Sequence, residues 1–332
     1  MVPLRRTDDP DSWLKIVNGD GPVITQTDDG DLCDGKGIVP SSSSSAPSVM
    51  NEMLDLLDVR DGMTILEIGS GTGYNAALLA EKTRTGHVTT IEVDPTIAEH
   101  ARQALGRTGY PVTVVTGDGA LGYAERAPFD RVIATASAVK VPYPWVEQTR
   151  PGGRIVLPLI GSFSRGAFLR LTVNGNGTAQ GRFHGGAAFM RLRNQYDDPA
   201  LWRIWDEDGA DITTTRQFPR EPFITFDAGF ALGIRLPGWV TGERREGDGS
   251  TILLLSHHAS GSWATVTSGV DEHAVCHEGP RRLWEDLEAA YSWWIQRGCP
   301  DSMRFGMTVT AEGQAFWLDE PDQVIARMNN VT

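Results

Sequence analysis

The sequence has few cysteines and no long apolar run. Its 332 residues include three cysteines, Cys33, Cys276 and Cys299, and one of them cannot pair within the chain. This usage argues against a disulfide-stabilised secreted protein and favours the reducing cytoplasm. No apolar run approaches the ~20 residues that span a bilayer, and the N-terminus lacks the apolar core of a secretory signal. A cytoplasmic protein with no membrane segment is therefore expected.

Basic charge is also scarce, and the formal net charge is −13 at pH 7. A surface that binds nucleic acid neutralises phosphates with clustered lysine and arginine, so nucleic acid is not an expected partner. An acidic surface would tolerate a basic peptide, although the same charge is also a general means of staying soluble. The length predicts one large domain or two modest ones.

What the sequence does contain is a glycine turn between an apolar strand and a helical pattern. Residues 64–75 read T-I-L-E-I-G-S-G-T-G-Y-N, with glycines at positions 69, 71 and 73. Strand, glycine turn and helix together bring backbone N–H groups up against a ligand. Glu92 lies near the end of the next predicted strand, about 20 residues further on, where a doubly wound fold places an acid that binds a ribose diol.

Glu67, inside the first of these strands, narrows the class of ligand. A carboxylate just before the turn would repel a pyrophosphate and would attract the cationic amino and sulfonium groups of S-adenosylmethionine. The alternative is a plain tight turn with Glu67 on a solvated edge.

Strands and helices alternate through residues 64–159. After the first strand, further strands are predicted at 87–93, 112–115, 129–134 and 154–159, with helical patterns between them. This alternation predicts an α/β fold in which a doubly wound parallel sheet carries helices on both faces.

The remainder of the chain has a different pattern. Residues 195–222 are polar and broken and are interpreted as a junction, and the part that follows is typical of an α+β domain. It includes a predicted strand at 230–236 and a predicted helix at 280–297 with Pro280 in its first turn. The predicted organisation is an N-terminal segment (1–40), an α/β domain (41–200) and a C-terminal α+β domain (210–332).

Five consecutive serines, Ser41 to Ser45, precede the glycine turn. One interpretation is a flexible linker. The other is a catalytic loop over the cofactor, because the run leads directly into an amphipathic helix for which Ser48 is a reasonable N-cap.

Four ordered segments of the chain resemble the protein-L-isoaspartate O-methyltransferase family. They are residues 64–75, 117–127 (G-D-G-A-L-G-Y-A-E-R-A), 129–138 (F-D-R-V-I-A-T-A-S-A) and 148–158 (Q-T-R-P-G-G-R-I-V-L-P). The resemblance covers roughly residues 40–160. It implies a class I methyltransferase with a Rossmann-like fold, which transfers a methyl group from S-adenosyl-L-methionine to a carboxylate and releases S-adenosyl-L-homocysteine.

The resemblance also implies roles for individual residues. The turn from Gly69 through Ser70 and Gly71 to Gly73 would line the methionine part of the cofactor, with Glu67 beside it. Glu92 and Val93 would bind the ribose, and Gly117, Asp118 and Gly119 would lie at the adenine edge. The family's loop reads T-I-S-A-P-H or similar, and the matching stretch here runs from Ser43 to Ser48.

By this match Ser45 inherits the catalytic role, and Ser43, Ser44 and Thr135 are expected on the substrate side. Serine replaces threonine at position 43, an aliphatic residue at 44 and histidine at 48, and these departures bear on substrate preference. A carboxylate with a pKa of about 4 is already ionised at pH 7 and needs no general base. A neutral hydroxyl such as that of Ser45 can orient it, so neither a histidine nor a metal ion is required.

The C-terminal extension resembles methyltransferases of ribosomal peptide (RiPP) maturation, including lanthipeptide and ATP-grasp (graspetide) systems. The resemblance rests on residues 230–238 (F-A-L-G-I-R-L-P-G), 261–266 (G-S-W-A-T-V) and 315–319 (A-F-W-L-D). It implies a methyl ester on an aspartate of a modified precursor peptide, which then cyclises to an aspartimide (succinimide), with the extension gripping the peptide.

Other functions are alternatives to this one. The first is an enzyme that repairs isoaspartyl residues in damaged proteins and carries an added domain. The second is a fold that is retained only to bind peptide. The third is a metal or hydrolase site, which is not expected, because His257, His258, His273, Cys276 and His277 fit no zinc spacing and the serines of 161–166 do not form a nucleophile elbow.

Overall fold

A computed structural model of the chain describes residues 1, 4–161, 163, 166–195, 210–217, 220–247 and 249–329. The helices are α1 (Pro10–Val17), α2 (Pro47–Leu57), α3 (Tyr74–Thr83), α4 (Pro95–Thr108), α5 (Tyr143–Glu147), α6 (Glu221–Ile224), α7 (Phe226–Arg235) and α8 (Leu283–Gln296). The strands of the first half are β1 (Val23–Thr27), β2 (Pro40–Ser44), β3 (Thr64–Ile68), β4 (His87–Glu92), β5 (Val112–Thr116), β6 (Phe129–Ala134), β7 (Thr149–Leu159), β8 (Ala167–Val173) and β9 (Ala179–Gly186). Those of the second half are β10 (Asp211–Thr215), β11 (Trp239–Arg245), β12 (Thr251–His257), β13 (Ser262–Thr267), β14 (His273–Glu278), β15 (Phe305–Val309), β16 (Gly313–Leu318) and β17 (Val324–Asn329).

A ten-stranded sheet in the order β17-β16-β15-β9-β8-β7-β6-β3-β4-β5 forms the centre of the molecule. Strands β3 to β7 run parallel, as the alternation of strands and helices predicts. A parallel strand is covered by helices on both faces, which explains why β6 is buried at every position and why β3 is so apolar. The register pairs Ile68 with Ile91, so β3 and β4 end side by side.

Capping residues and a proline mark the ends of helices α4 and α2. Asp94 caps α4 by accepting the backbone N–H groups of Thr96 and Ile97, and Gly109 ends it with a φ of +76°. The prediction that Ser48 caps α2 is wrong. The N-cap is Ala46, because Pro47 occupies the first turn, and the Ser48 N–H instead donates to Asp20 Oδ1 at 2.8 Å.

The last three strands extend the central sheet. Strand β15 pairs antiparallel with β9, with Gly306 opposite Arg182, and β16 and β17 follow outward. A separate antiparallel sheet has the order β10-β14-β13-β12-β11. Residues 305–329 therefore complete a sheet that begins in the first half of the chain. Most of the predicted junction, at 196–209 and 218–219, lies outside the described residues, and the division into domains at 200 and 210 stays a prediction.

The strand predicted at 230–236 is wrong, because this segment belongs to helix α7. A short run that is apolar throughout does not distinguish a buried strand from a buried helix. Phe230 packs edge-to-face on Phe183 and on Phe305, with ring centroids 4.9 and 5.6 Å apart, so α7 covers the central sheet. Helix α8 begins at Leu283, after Pro280 rather than with Pro280 in its first turn. Among the described residues, no helix has the length and hydropathy needed to cross a bilayer.

Candidate active site

The carboxyl ends of β3, β4 and β6 open into a cleft of about 1420 Å³, which β2 and residues 186–194 enclose from the other side. The residues predicted for the site that line this cleft are Ser43, Ser44, Ser45, Glu67, Gly69, Ser70, Gly71, Glu92, Val93, Asp118, Gly119 and Thr135. The topology of the fold therefore brings together segments that are far apart in the sequence. The role assigned to each of these residues stays a prediction.

Gly73 and Gly117, also predicted for the site, lie behind the lining of the cleft. Gly73 is the N-cap of α3 with a φ of +80°, and a Cβ atom there would lie 3.1 Å from Leu105 Cγ. The Gly117 N–H donates to the backbone oxygen of Glu92 at 2.9 Å. Both glycines shape the wall of the cleft from outside.

The glycine turn leaves little room for side chains at Gly69 and Gly71. Gly69 and Gly71 have φ values of +92° and +50°, which strongly favour glycine. A Cβ on Gly69 would lie 3.0 Å from Thr135 Oγ1, and one on Gly71 would lie 3.2 Å from Ser43 O. The Thr135 hydroxyl lies 2.7 Å from Gly69 O, so it supports the turn. Ser70 turns its side chain inward, and its hydroxyl is 2.8 Å from Thr90 Oγ1.

Glu67 and Asn75 form a pair of buried acceptors in the cleft wall. The Asn75 amide donates to Glu67 Oε1 at 2.7 Å. Glu67 Oε2 and Asn75 Oδ1 are buried and have no hydrogen-bond partner in the part of the chain that the structure describes. Burial raises the pKa of the Glu67 carboxyl from 4.5 to about 7, and the side chains of Thr90 and Asn75 offset only part of this effect. Glu67 is therefore not on a solvated edge, and the two acceptors are suited to a cationic donor.

Glu92 is held firmly at the end of β4. Its Oε2 accepts the Gly71 N–H at 3.1 Å, and its Oε1 accepts the Asp94 N–H at 3.2 Å. Because each carboxylate oxygen can accept more than one hydrogen bond, this anchoring leaves capacity toward the cleft.

Asp118 and Gly119 form the far wall. Asp118 Oδ1 accepts the Ala120 N–H at 2.9 Å, and the Asn194 amide donates to Oδ2 at 3.0 Å. A Cβ on Gly119 would lie 2.4 Å from Ile68 Cγ2, so only glycine fits against the end of β3. The buried indole of Trp145 donates to Gly119 O at 2.8 Å and fixes this loop.

The five serines do not form a flexible linker, since four of them lie in strand β2, which pairs antiparallel with β1. Ser41 Oγ donates to Gln26 Oε1 at 2.9 Å, and Thr25 Oγ1 donates to Ser42 Oγ at 3.2 Å. Ser43 and Ser45 line the cleft, and no described protein group hydrogen-bonds to their hydroxyls. These two hydroxyls are thus available to a ligand.

Comparison with known proteins places this arrangement in a family. The profile of the family described as protein-L-isoaspartate(D-aspartate) O-methyltransferase (PCMT) matches residues 35–195. The protein-L-isoaspartate O-methyltransferase of Thermococcus onnurineus is 40% identical over 155 residues, which cover 46% of this chain and 70% of that protein. The chain belongs to this family. The family is one of protein carboxyl O-methyltransferases.

Two further comparisons set the extent of the similarity. The enzyme of the same name from Methanothrix thermoacetophila is 50% identical over 123 residues, which are 36% of this chain and 58% of that protein. A solved structure of a protein-L-isoaspartate O-methyltransferase superposes with a TM-score of 0.53 and 21% identity over 92% of this chain and 89% of that one. The class I methyltransferase fold predicted from the resemblance is confirmed, and the superposition extends over most of the C-terminal part.

Several residues that shape the site of this family member were not predicted. Gln148 accepts the Tyr123 N–H at 2.6 Å and donates to Leu121 O at 2.9 Å, so it ties two of the resembling segments together. Both ends of this bridge lie in segments on which the resemblance rests, and this was the available signal. Asn75 likewise lies in a resembling segment, residues 64–75, together with its partner Glu67. Arg193 and Asn194 carried no such signal, because their partners Asp94 and Asp118 are far away in the sequence.

Proposed function

We propose that the chain is an S-adenosylmethionine-dependent O-methyltransferase that esterifies the carboxylate of isoaspartyl residues in proteins or peptides. The observation that carries the proposal is the pair of buried acceptors, Glu67 Oε2 and Asn75 Oδ1, beside the glycine turn of a member of this family. A buried carboxylate oxygen without a hydrogen-bond donor is costly unless a ligand satisfies it.

The residues of the cleft fit S-adenosylmethionine. Its ammonium group has three donors, which Glu67 and Asn75 would accept, while the backbone of Gly69 to Gly71 would line the amino-acid part. Glu92 would accept the ribose hydroxyls, and Asp118 would accept from the adenine amino group. When bound, the cofactor supplies an electrophilic methyl group on a sulfonium ion.

The work of the protein in this reaction is alignment and exclusion of water. The substrate carboxylate is ionised at neutral pH, so no residue has to remove a proton. Ser45 would donate its hydroxyl hydrogen to one carboxylate oxygen and direct the other toward the methyl group. Strand β2 and residues 186–194 line the cleft, and with the substrate bound they would limit the access of water to the reacting groups.

A second candidate substrate is an aspartate in a modified precursor peptide, whose methyl ester cyclises to an aspartimide. Serine at positions 44 and 48, in place of the family's aliphatic residue and histidine, favours a different acceptor. The extension beyond residue 195 favours it less, because a protein-L-isoaspartate O-methyltransferase of solved structure shares the fold over most of this chain.

Mass spectrometry of matched reactions tests the proposal. One reaction contains a short isoaspartyl peptide, a second the same peptide with normal aspartate, and a third a precursor peptide encoded beside the gene. Gain of one methyl on the isoaspartyl peptide alone supports the proposal. Methylation of the precursor alone, followed by loss of methanol, would replace it with aspartimide formation, and no methylation of any peptide would leave a fold that only binds.

Replacing Ser45 by alanine tests the assigned catalytic residue. Ser45→Ala should leave the affinity for S-adenosylhomocysteine unchanged and should lower kcat by about 10- to 100-fold, because a hydrogen bond to a charged oxygen is lost. Ser12→Ala, an exposed serine of α1, is the matched control. Unchanged turnover in Ser45→Ala would remove Ser45 from the mechanism.

A further inference from the structure

Strand β2, which carries the serines, forms an N-terminal hairpin with β1 (residues 23–44), and this hairpin has almost no apolar packing against the rest of the chain. Helix α1 has no buried residue, and β1 and β2 bury no apolar side chain. Leu14, Ile16 and Val17 on α1 are 41%, 48% and 45% exposed, so these apolar side chains do not belong to the core. Elements held by polar contacts open at lower free-energy cost than elements held by a core.

Several polar contacts of the hairpin lead to one arginine, in addition to the direct contact of Thr72 Oγ1 with Ser44 Oγ at 3.5 Å. Arg193 Nη2 lies 2.9 Å from Asp29 Oδ1 in the hairpin and 3.4 Å from Asp94 Oδ2 at the start of α4. Gln26 Nε2 donates to the same Asp94 oxygen at 3.1 Å, and Ser41 Oγ donates to Gln26 Oε1. A chain of polar contacts thus runs from Arg193 and Asp94 through β1 to the serine strand.

Both anchors of this chain are fixed. The other oxygen of Asp94 caps α4. The segment that carries Arg193 is held by Gln195, whose Oε1 accepts the N–H groups of Val139 and Lys140 at 2.6 and 3.0 Å, and by the Ser137 hydroxyl, which donates to Phe189 O at 3.1 Å. The hairpin is therefore the part that moves when the contacts break.

We propose that Arg193 is a positioning residue that clamps the hairpin through Asp29 and Asp94, so that β2 holds Ser45 against the glycine turn. The clamp closes one side of the cleft beside Glu92, and it has to open for the cofactor to exchange. This inference rests on the proposed function, because it assumes that the cleft binds S-adenosylmethionine.

The exposure of the clamp makes it sensitive to salt. The side chains of Arg193 and Asp29 are 34% and 63% exposed, so dissolved ions screen their attraction. Raising the ionic strength should open the clamp in the native protein and so speed the dissociation of S-adenosylhomocysteine. In a variant without Arg193, salt should change this dissociation rate less.

The test measures the dissociation rate of S-adenosylhomocysteine by stopped flow in the full chain, together with kcat and KM for the isoaspartyl peptide. Arg193→Gln should release S-adenosylhomocysteine about three- to tenfold faster and should lower kcat, because a charged hydrogen bond to the hairpin is lost. Arg193→Lys should retain part of the effect of the native arginine, since lysine keeps the charge but not the fork of donors. The control is Arg216→Gln, which removes the exposed Arg216–Glu272 pair of the second sheet.

Asp29→Asn tests the clamp independently of Arg193. Because Asp29 is largely exposed, this replacement should not disturb folding. It should also speed release, and it should add little in the Arg193→Gln background. Wild-type dissociation rates and kcat in both variants, or equal salt dependence in native and variant proteins, would overturn the clamp. Absence of S-adenosylhomocysteine binding in the native protein would instead overturn the proposed function.

Discussion

At the scale of single residues, Glu67 shows how a candidate binding site can cost stability. The carboxyl is fully buried, and its pKa of about 7 lies well above its ordinary value of 4.5. The folded protein therefore holds this proton between about pH 4.5 and 7 while the unfolded chain releases it, so the free energy of unfolding falls as pH rises through that window. The loss amounts to about 3 kcal/mol above pH 7.

Glu67→Gln removes the titrating group and keeps an oxygen that can accept from Asn75. We expect the variant to be more stable than the native protein at pH 8, by up to about 3 kcal/mol, and to bind S-adenosylhomocysteine more weakly because the counter-charge is lost. Urea unfolding at pH 5 and pH 8, with calorimetric titration of the ligand, measures both. Equal pH dependence of stability in the two proteins would show that Glu67 does not titrate in this range.

The glycine turn provides a second prediction at this scale. Gly71→Val would place a side chain 3.2 Å from Ser43 O in a backbone conformation with positive φ, where the ligand also has to approach. Binding of S-adenosylhomocysteine should fall by at least about 100-fold. Gly106→Ala in α4, where an added Cβ would meet nothing within 4 Å, is the control and should bind normally. Normal binding by Gly71→Val would contradict the placement of the cofactor.

At the scale of elements, the burial of each strand or helix decides whether it could be predicted from the sequence. The five parallel strands were predictable because each is a short apolar run followed by a turn, and the acids at their ends lie in the cleft for the same reason. Helix α7 was not predictable, because all of its residues from Ala228 to Ile234 are buried and no polar face reveals a helical period. The sequence could not distinguish strand β2 from a flexible linker, because β2 is held by hydrogen bonds to β1 and shows no pattern of apolar residues.

The burial of α7 predicts a large effect of a single substitution. Phe230 is 5% exposed and packs on Phe183, Phe226 and Phe305. Phe230→Ala should lower the free energy of unfolding by about 3–5 kcal/mol. Ile212→Ala on β10, where the side chain is 73% exposed, should change it by less than about 0.5 kcal/mol. Similar denaturation midpoints for both variants would contradict the packing of α7 on the central sheet.

At the scale of the whole molecule, the contacts that were missed join distant parts of the chain. The clamp brings Gln26, Asp29, Asp94 and Arg193 together, and none of them belongs to a recognisable motif. The pairing of β9 with β15 likewise joins residues more than 100 positions apart. Such contacts depend on how complete strands and helices are placed relative to one another, and local periodicity does not encode this placement. The family resemblance, by contrast, located the cleft because its motifs lie at strand ends.

The sheet topology predicts that the final strands are required for the stability of the part of the chain that carries the parallel strands. A chain ending at Arg304 would lack β15 to β17 and leave the backbone of β9 at an open edge. It would also remove Phe316 from the ring of Phe183 and Phe305 from the ring of Phe230. We expect this truncated protein to aggregate, or to unfold at a temperature lower by at least about 10 °C, and to lose affinity for S-adenosylhomocysteine. A chain ending at Asn329 keeps all three strands and is the control.

Calorimetry and ligand titration of the two truncated chains decide between one cooperative unit and two independent ones. If residues 305–329 fold together with the rest of the central sheet, the chain ending at Asn329 should unfold in one two-state transition and bind S-adenosylhomocysteine. The chain ending at Arg304 should lose both. A soluble chain ending at Arg304 that binds S-adenosylhomocysteine as the full chain does would mean that the extension is an accessory, and that the edge of β9 is stable without a neighbour. Because the family profile matches residues 35–195, the first outcome would mean that this member depends on strands outside the matched region.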